Sequence, residues 1–227
     1  MRSALTLSFL LTILYSSAQY TPQEIKKFRI SKITKLTVTK GDETTQRNEV
    51  YFDANGYDTA EYNGADLYCR TTYQLNANGQ VMSRTRYKPD GKEIETATFN
   101  YKPDGSLVIS NTDKDFGMTE LTYCNRSGKV VMTKSPDGTE RNYSYDSKGK
   151  LARVRSKPNN GGVVTDLQYS YNEKGQLLKE QSKGDYKWTN IYSYNSKGLI
   201  SKIKRTSISD GVADPEVTIT YEYEFIQ

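Results

Sequence analysis

From about residue 48 onward, apolar and polar positions alternate at period two, and glycine interrupts the alternation at regular intervals. "YSYDSKGKL" (143–151), "YSYNEKGQL" (169–177) and "YSYNSKGLI" (192–200) show the unit most clearly. Aligned on Gly56, Gly79, Gly105, Gly128, Gly149, Gly175 and Gly198, the period averages about 24 residues, as in a repeat architecture. Four residues before each glycine stand Phe52, Leu75, Tyr101, Cys124, Tyr145, Tyr171 and Tyr194. Six before stand Val50, Tyr73, Phe99, Thr122, Tyr143, Tyr169 and Tyr192, and two after stand Asp58, Val81, Leu107, Val130, Leu151, Leu177 and Ile200. The positions between are mostly Ser, Lys, Asn, Gln and Thr. The pattern predicts strands with one aromatic and one polar face.

The glycines are structural turn residues. Asx at i and Gly at i+3 suit a type I turn whose last residue adopts the left-handed conformation that feeds a hairpin. "KPDG" at 102–105 uses proline at i+1 for the same turn. Looser breakers lie between: "YNG" at 62–64, "PDG" at 89–91 and 136–138, "KDFG" at 114–117, "NNGG" at 159–162, "KGD" at 183–185 and "SDGVADP" at 209–215. Each period is therefore two strands and two turns. The predicted fold is all-β, an antiparallel meander of about fourteen to sixteen strands. The expected form is a curved sheet, an open spiral or partly closed. The pattern alone leaves closure into a barrel or folding into a sandwich open. Ahead of it, "TPQE" at 21–24 offers Thr21 as N-cap, Pro22 at N1 and Glu24 at N3. That predicts a helix over about 22–29 and a strand in "ITKLTVTK", a unit that would cap an open sheet edge.

These repeats resemble YD repeats, the units of the RHS repeat family, whose pattern is Tyr-Asp-x-x-Gly-Arg-Leu with a second tyrosine two residues upstream. The likeness is strong over about 120–205 and degenerate over 48–110. It implies a spiralling antiparallel sheet, and some such proteins are described as sugar-binding. The arginine after glycine is replaced by Lys150, Gln176 and Leu199. The chain is far shorter than the large toxin-enclosing shells. A leader followed by a short repeat array is similar to small secreted proteins of the Bacteroidetes.

That leader is "MRSALTLSFLLTILYSSAQ": Arg2, an apolar run from Leu5 to Leu14, then Ser16 and Ala18 in the pattern of a signal-peptide cleavage site. The expected organisation is a signal peptide over 1–18, a capping helix and strand over 19–47, and a hairpin-repeat domain over 48–227. The mature chain is expected to be exported, to periplasm, cell surface or medium, and not to span a membrane. Hydrophobic residues make up 35% of the 227, but tyrosine is used 19 times, so phenol rings must supply much of the buried area. Net charge is +5. Lys and Arg outnumber Asp and Glu by about ten between Arg126 and Arg205, which reads first as a solvated face and second as attraction to an anionic partner.

Histidine is absent, which removes Ser-His-Asp and Cys-His catalysis. No zinc-ligand spacing or phosphate loop occurs, and no cofactor is implied. Cys69 and Cys124 form a candidate disulfide, with two buried thiols as the plain alternative. Trp188, the only tryptophan, shares the parity of Tyr192 and Tyr194. Tyr186 and Trp188 are the candidate ligand-binding residues, by stacking on a sugar ring, and packing with the aromatic face is the simpler role. The expected function is an exported, non-enzymatic repeat protein that binds a glycan or protein at the cell envelope and no nucleic acid. A small outer-membrane β-barrel is one alternative. A secreted glycoside-active enzyme with a carboxylate pair is another.

Overall fold

The structure is a computed structural model that describes residues 20–41, 45–159, 164–184, 186–209 and 211–226. The expected leader over 1–18, with its cleavage site near Ala18, lies outside the described residues. The helix predicted from the capping box is α1 (Pro22–Phe28). Glu24 N donates to Thr21 Oγ1 at 3.1 Å and Thr21 N to Glu24 Oε2 at 2.8 Å, which satisfies two free amide donors reciprocally. Arg29 ends the helix in the left-handed conformation, and its N–H donates to Lys26 O at 3.1 Å.

Among the described residues every other regular element is a strand. In order these are β1 (Ile30–Thr39), β2 (Thr45–Phe52), β3 (Asp58–Asn63), β4 (Asp66–Leu75), β5 (Val81–Tyr87) and β6 (Glu93–Tyr101). Then follow β7 (Leu107–Asp113), β8 (Met118–Cys124), β9 (Val130–Lys134), β10 (Glu140–Tyr145), β11 (Leu151–Lys157) and β12 (Asp166–Tyr171). The last are β13 (Leu177–Ser182), β14 (Lys187–Tyr194), β15 (Ile200–Ser209), β16 (Val212–Ala213) and β17 (Val217–Phe225). The registers from β2 to β9 and from β10 to β17 are antiparallel.

The open spiral or partly closed sheet expected from the repeats is corrected by the strand pairing. β1 bonds both β2 and β17, and β9 bonds β10, so the order returns to its start. The two-residue β16 pairs with β15, and the remaining sixteen strands form a closed β-barrel circuit. The physical reason is β1. Its ladder groups on both sides find partners, so the strand expected to cap a bare edge joins two edges instead.

Two compact units are distinguished along the chain. The first holds Asn48–Pro136 with α1, the start of β1 and the end of β17, and the second holds Asp137–Glu222 with Lys35–Arg47. In the first unit the buried face carries Cys69, Val81, Ala97, Phe99, Leu107, Ile109, Cys124 and Val130. In the second it carries Val154, Tyr192, Leu199, Ile200, Ile203, Ile219 and Tyr221. Most of these are the strand residues of the glycine-anchored alignment or share their parity. Leu75 is the exception, 50% exposed at a position expected to be buried.

Each of the seven aligned glycines donates its N–H to residue i of its turn at 2.8–3.0 Å and has φ between 73° and 86°. The looser breaker at 88–91 closes in the same way, with Gly91 N donating to Lys88 O at 2.9 Å. In six of the seven repeats, ladder register shifts just before the residue four positions ahead of the glycine, as at Ser144/Tyr145, Ser170/Tyr171 and Ser193/Tyr194. The tyrosines at this position fasten one repeat to the previous one. Tyr101 OH donates to Val81 O at 3.1 Å, Tyr171 OH to Leu151 O at 2.9 Å, and Tyr194 OH to Leu177 O at 2.7 Å. Each acceptor is the aliphatic residue two after the preceding turn glycine.

Candidate functional site

The two sequence-chosen residues sit at the start of one strand, β14, in the second unit. Tyr186 immediately precedes β14 and is 47% exposed. Its hydroxyl donates to Asp214 Oδ2 at 3.3 Å, and Ser207 Oγ donates to the same oxygen at 2.6 Å. Trp188 lies opposite Ser207, half-buried, on the face that carries Asn190 and Tyr192. The Arg205 guanidinium covers its ring, 5.3 Å from the centroid, and Arg205 Nε donates to Asn190 Oδ1 at 2.9 Å. One face of the indole is therefore occupied by a cation. The pair is not an open two-ring platform.

Sequence reasoning missed three neighbours of Tyr186. Ile208, opposite Lys187, is 48% exposed, and Val212 of β16 is 70% exposed. Val164 is 44% exposed and lies against the β13–β14 connection, where a Cβ added to Gly184 would meet the Val164 carbonyl oxygen. The signal available was apolar residues inside or beside two polar breakers, Val164 after 159–162 and Ile208 and Val212 at 209–215.

A second concavity, about 430 Å³, lies between the repeat turns at Asp146–Gly149 and Asn172–Gly175. Lys148, Lys150, Lys174, Tyr169 and Tyr171 are among its lining residues. Lys150 Nζ donates to Gly175 O at 2.5 Å and stands over the Tyr171 ring, 4.9 Å from its centroid. Lys150 occupies the position of the family arginine, and its ammonium serves as a repeat-to-repeat clasp. Gln176 makes the equivalent, longer reach to Gly198 O at 3.4 Å.

The first unit buries a polar cluster that the sequence did not announce. Arg84, 1% exposed, is paired with Glu95. Arg86 Nη2 donates to Glu61 Oε2 at 2.5 Å and to Cys69 Sγ at 3.0 Å. Cys69 and Cys124 are both free and buried, so the candidate disulfide is not formed. Among the described residues no group of three or more Cys, Asp or Glu could hold a metal ion. Turn carboxylates are engaged locally. Ser106 holds the Asp104 carboxyl below its ordinary value through side-chain and backbone hydrogen bonds, and Thr139 does the same for Asp137 through its backbone and side chain. Such acids serve as turn caps. No helix among the described residues is long and apolar enough to cross a membrane, which does not bear on strands.

A family model described as the Teneurin YD-shell matches residues 10–209. Among solved structures, a porin-like protein from Bacteroides uniformis ATCC 8492 is similar in fold at 13% identity. The match has a TM-score of 0.55 and covers 86% of this chain and 98% of that one. The complex TcdB2-TccC3 matches at 12% identity and TM-score 0.32, over 81% of this chain and 14% of that one. The Photorhabdus luminescens Tc holotoxin pore matches at 14% identity and TM-score 0.27, over 80% and 13%. Among curated protein sequences nothing matches. Two expectations are corrected here: that the mature form does not span a membrane, and that it resides free in the periplasm, at the cell surface or in the medium. They rested on strands with one aromatic and one polar face and on a cleavable leader. A closed sheet with the fold of a porin-like protein is the form in which strands cross an outer membrane.

Proposed function

The chain belongs to the Teneurin YD-shell family, and we propose that it is a non-enzymatic, structural β-barrel of the outer-membrane class. The observation that carries this reading is the circuit in which β1 bonds both β2 and β17. A sheet without edges leaves no backbone donors or acceptors to be stranded in lipid. Packed residues such as Val81, Ile109, Tyr192 and Ile203 fill the buried faces of the two units, which favours a structural barrel over a conducting one. The test is fractionation of the full chain, expressed with its own leader in a Gram-negative host. Retention in the outer-membrane pellet after carbonate washing, with release only by detergent, is expected. Release by the wash would overturn the reading.

A second reading is favoured by the chemistry of the exposed strand positions. Arg70, Thr72, Thr98, Asn100 and Arg155 are exposed and alternate with buried or half-buried residues. A lipid-facing wall is apolar, and each Lys or Arg at the bilayer midplane costs about 2–4 kcal/mol. On this reading the barrel is an envelope binding module for a glycan or an envelope protein, with Tyr186 the accessible ring. Saturable binding on a glycan array that is lost in Tyr186→Ala supports it. Binding unchanged by that substitution overturns the assignment of Tyr186.

A further inference from the structure

We propose that the opening between the repeat turns at 146–149 and 172–175 binds an uncharged sugar unit of an extended oligosaccharide. Within a repeat the strands pair along their length. β10 pairs with β11 from Glu140 to Tyr145, and β12 with β13 from Leu167 to Tyr171. Between repeats they do not. β11 meets β12 only at Arg153–Arg155 against Asp166–Gln168. Toward the turns, Leu151 and Ala152 on one side and Tyr169 to Tyr171 on the other have no ladder partner across the seam. The concavity of about 430 Å³ lies where the ladder stops. Two side chains brace the gap: Tyr171 OH donates to Leu151 O at 2.9 Å, and Lys150 Nζ to Gly175 O at 2.5 Å.

The rim is polar and unspent. Ser147, Lys148, Ser170, Glu173 and Lys174 line the opening, all five are exposed, and none is engaged through its side chain among the described residues. Serine hydroxyls that donate and accept, ammonium donors and a carboxylate acceptor complement sugar hydroxyls, each of which is donor and acceptor at once. Charge around the opening is balanced. Asp146 and Glu173 stand against Lys148 and Lys174, and Lys150 is taken up by the Gly175 carbonyl. Asp146 is fixed as the turn cap, its Oδ1 accepting from the Lys148 and Lys150 amides at 2.9 and 2.7 Å. Lys179, opposite Ser170 on β13, lies beyond β12 from the opening and does not line it. A balanced rim favours an uncharged ligand. The next seam repeats the construction. β13 meets β14 only at Lys179–Gln181 against Thr189–Ile191. Beyond that, Tyr194 OH donates to Leu177 O at 2.7 Å and Gln176 Nε2 to Gly198 O at 3.4 Å. The two seams are two strands apart, about 9.6 Å, the reach of a disaccharide in an extended chain. One oligosaccharide therefore presents like units to both.

The inference rests on the binding-module reading and gives it a ligand class and a second place on the molecule. The mature chain, labelled with nitrogen-15, is titrated with cellohexaose and with an oligogalacturonate of equal length. Expected with cellohexaose are saturable shifts of the Gly149 and Gly175 amides, at an affinity that salt leaves unchanged. Glu173→Ala with Lys174→Ala should weaken that affinity at least ~10-fold while the melting temperature holds, since both side chains are exposed and unengaged. Ser170→Trp, which puts a ring into the opening, should abolish binding. Ser147→Trp blocks the same opening from the turn, and keeps the test valid if the strand variant misfolds. Lys187→Ala, an equally exposed position at the far end of β14, should change nothing. Absence of cellohexaose binding by the unmodified chain overturns the proposal. So does tighter binding of the oligogalacturonate, or full binding by both tryptophan variants. Glycan binding that Tyr186→Ala removes and the tryptophan variants retain overturns this inference alone and leaves the binding-module reading standing. A chain that binds no glycan of either charge removes the glycan from that reading as well.

Discussion

At the scale of the residue, tyrosine combines a ring for the buried face with a hydroxyl that ties repeats together. Tyr171 and Tyr194 donate to the carbonyls of Leu151 and Leu177, which stand where the ladder shifts register. A phenylalanine would keep the ring and leave the carbonyl without that donor. Tyr171→Phe should therefore cost about 1 kcal/mol, read as a lower urea midpoint at unchanged slope. Tyr68→Phe, at a 52% exposed position, should cost nothing measurable. Arg84 behaves differently. Its guanidinium is buried against Glu95, which Arg86 also reaches at 3.7 Å, so Arg84→Ala empties a packed site and leaves the carboxylate only the longer ion pair, and should cost about 3 kcal/mol. Arg84→Met with Glu95→Gln should recover most of that loss in the same denaturation experiment. The tyrosine pattern was legible because parity is a local property of the chain. Arg84 was not, because the partner that permits its burial is on the next strand and "SRTRY" reads as an ordinary polar strand.

At the scale of the element, the repeat turns look alike in sequence but stand in different surroundings. Gly79 and Gly56 share the left-handed conformation, with φ of 73° and 86°. A Cβ on Gly79 would meet open space, whereas one on Gly56 would strike the backbone of Pro22 at the start of α1. Gly79→Ala should cost about 1–2 kcal/mol, the penalty of the left-handed conformation alone. Gly56→Ala should cost clearly more and loosen α1, read as faster amide exchange at Ile25. The β7–β8 connection supplies an acid-sensitive clamp. Asp115 accepts from Lys92 at 2.5 Å and Lys88 at 3.0 Å, and these bonds hold its carboxyl below the ordinary 3.8. Such a group binds fewer protons folded than unfolded, so its contribution is full above pH 3.8 and disappears as pH falls through the lowered value. Asp115→Asn should melt below the unmodified chain at neutral pH, and the gap should close under strong acid. The turns themselves were legible from Asx-to-Gly spacing. Lys88–Gly91 closes like the primary turns because it is the same KPDG as 102–105, although its glycine falls outside the 24-residue alignment. Tyr186 and Trp188 were found as the only such aromatic pair in their breaker. Val164, Ile208 and Val212 were passed over because single aliphatic residues in or beside polar breakers carry no periodic signal.

At the scale of the whole circuit, the sequence shows how each strand meets its chain neighbour and is silent on how the first meets the last. Hairpin pairing is dictated locally, by turn and parity. The bond between β1 and β17 joins segments at opposite ends of the described chain, and "ISKITKLTVT" has an alternation that suits an edge strand as well as a closing one. Closure thus depends on one strand, which makes it testable by removal. Deleting residues 20–40 would take away α1 and β1 and leave β2 and β17 with unpaired ladder groups. Bare edges recruit other chains, so the truncated protein should lose monodispersity by light scattering and bind an amyloid dye. Deleting residues 20–28 takes only α1 and leaves the circuit intact, so that variant should remain monodisperse with a lower melting temperature. Were the longer deletion also monodisperse and equally stable, the edges would need no closing strand. β1 would then be the accessory cap that the repeat pattern suggested, and the edge-free argument for an outer-membrane barrel would lose its footing.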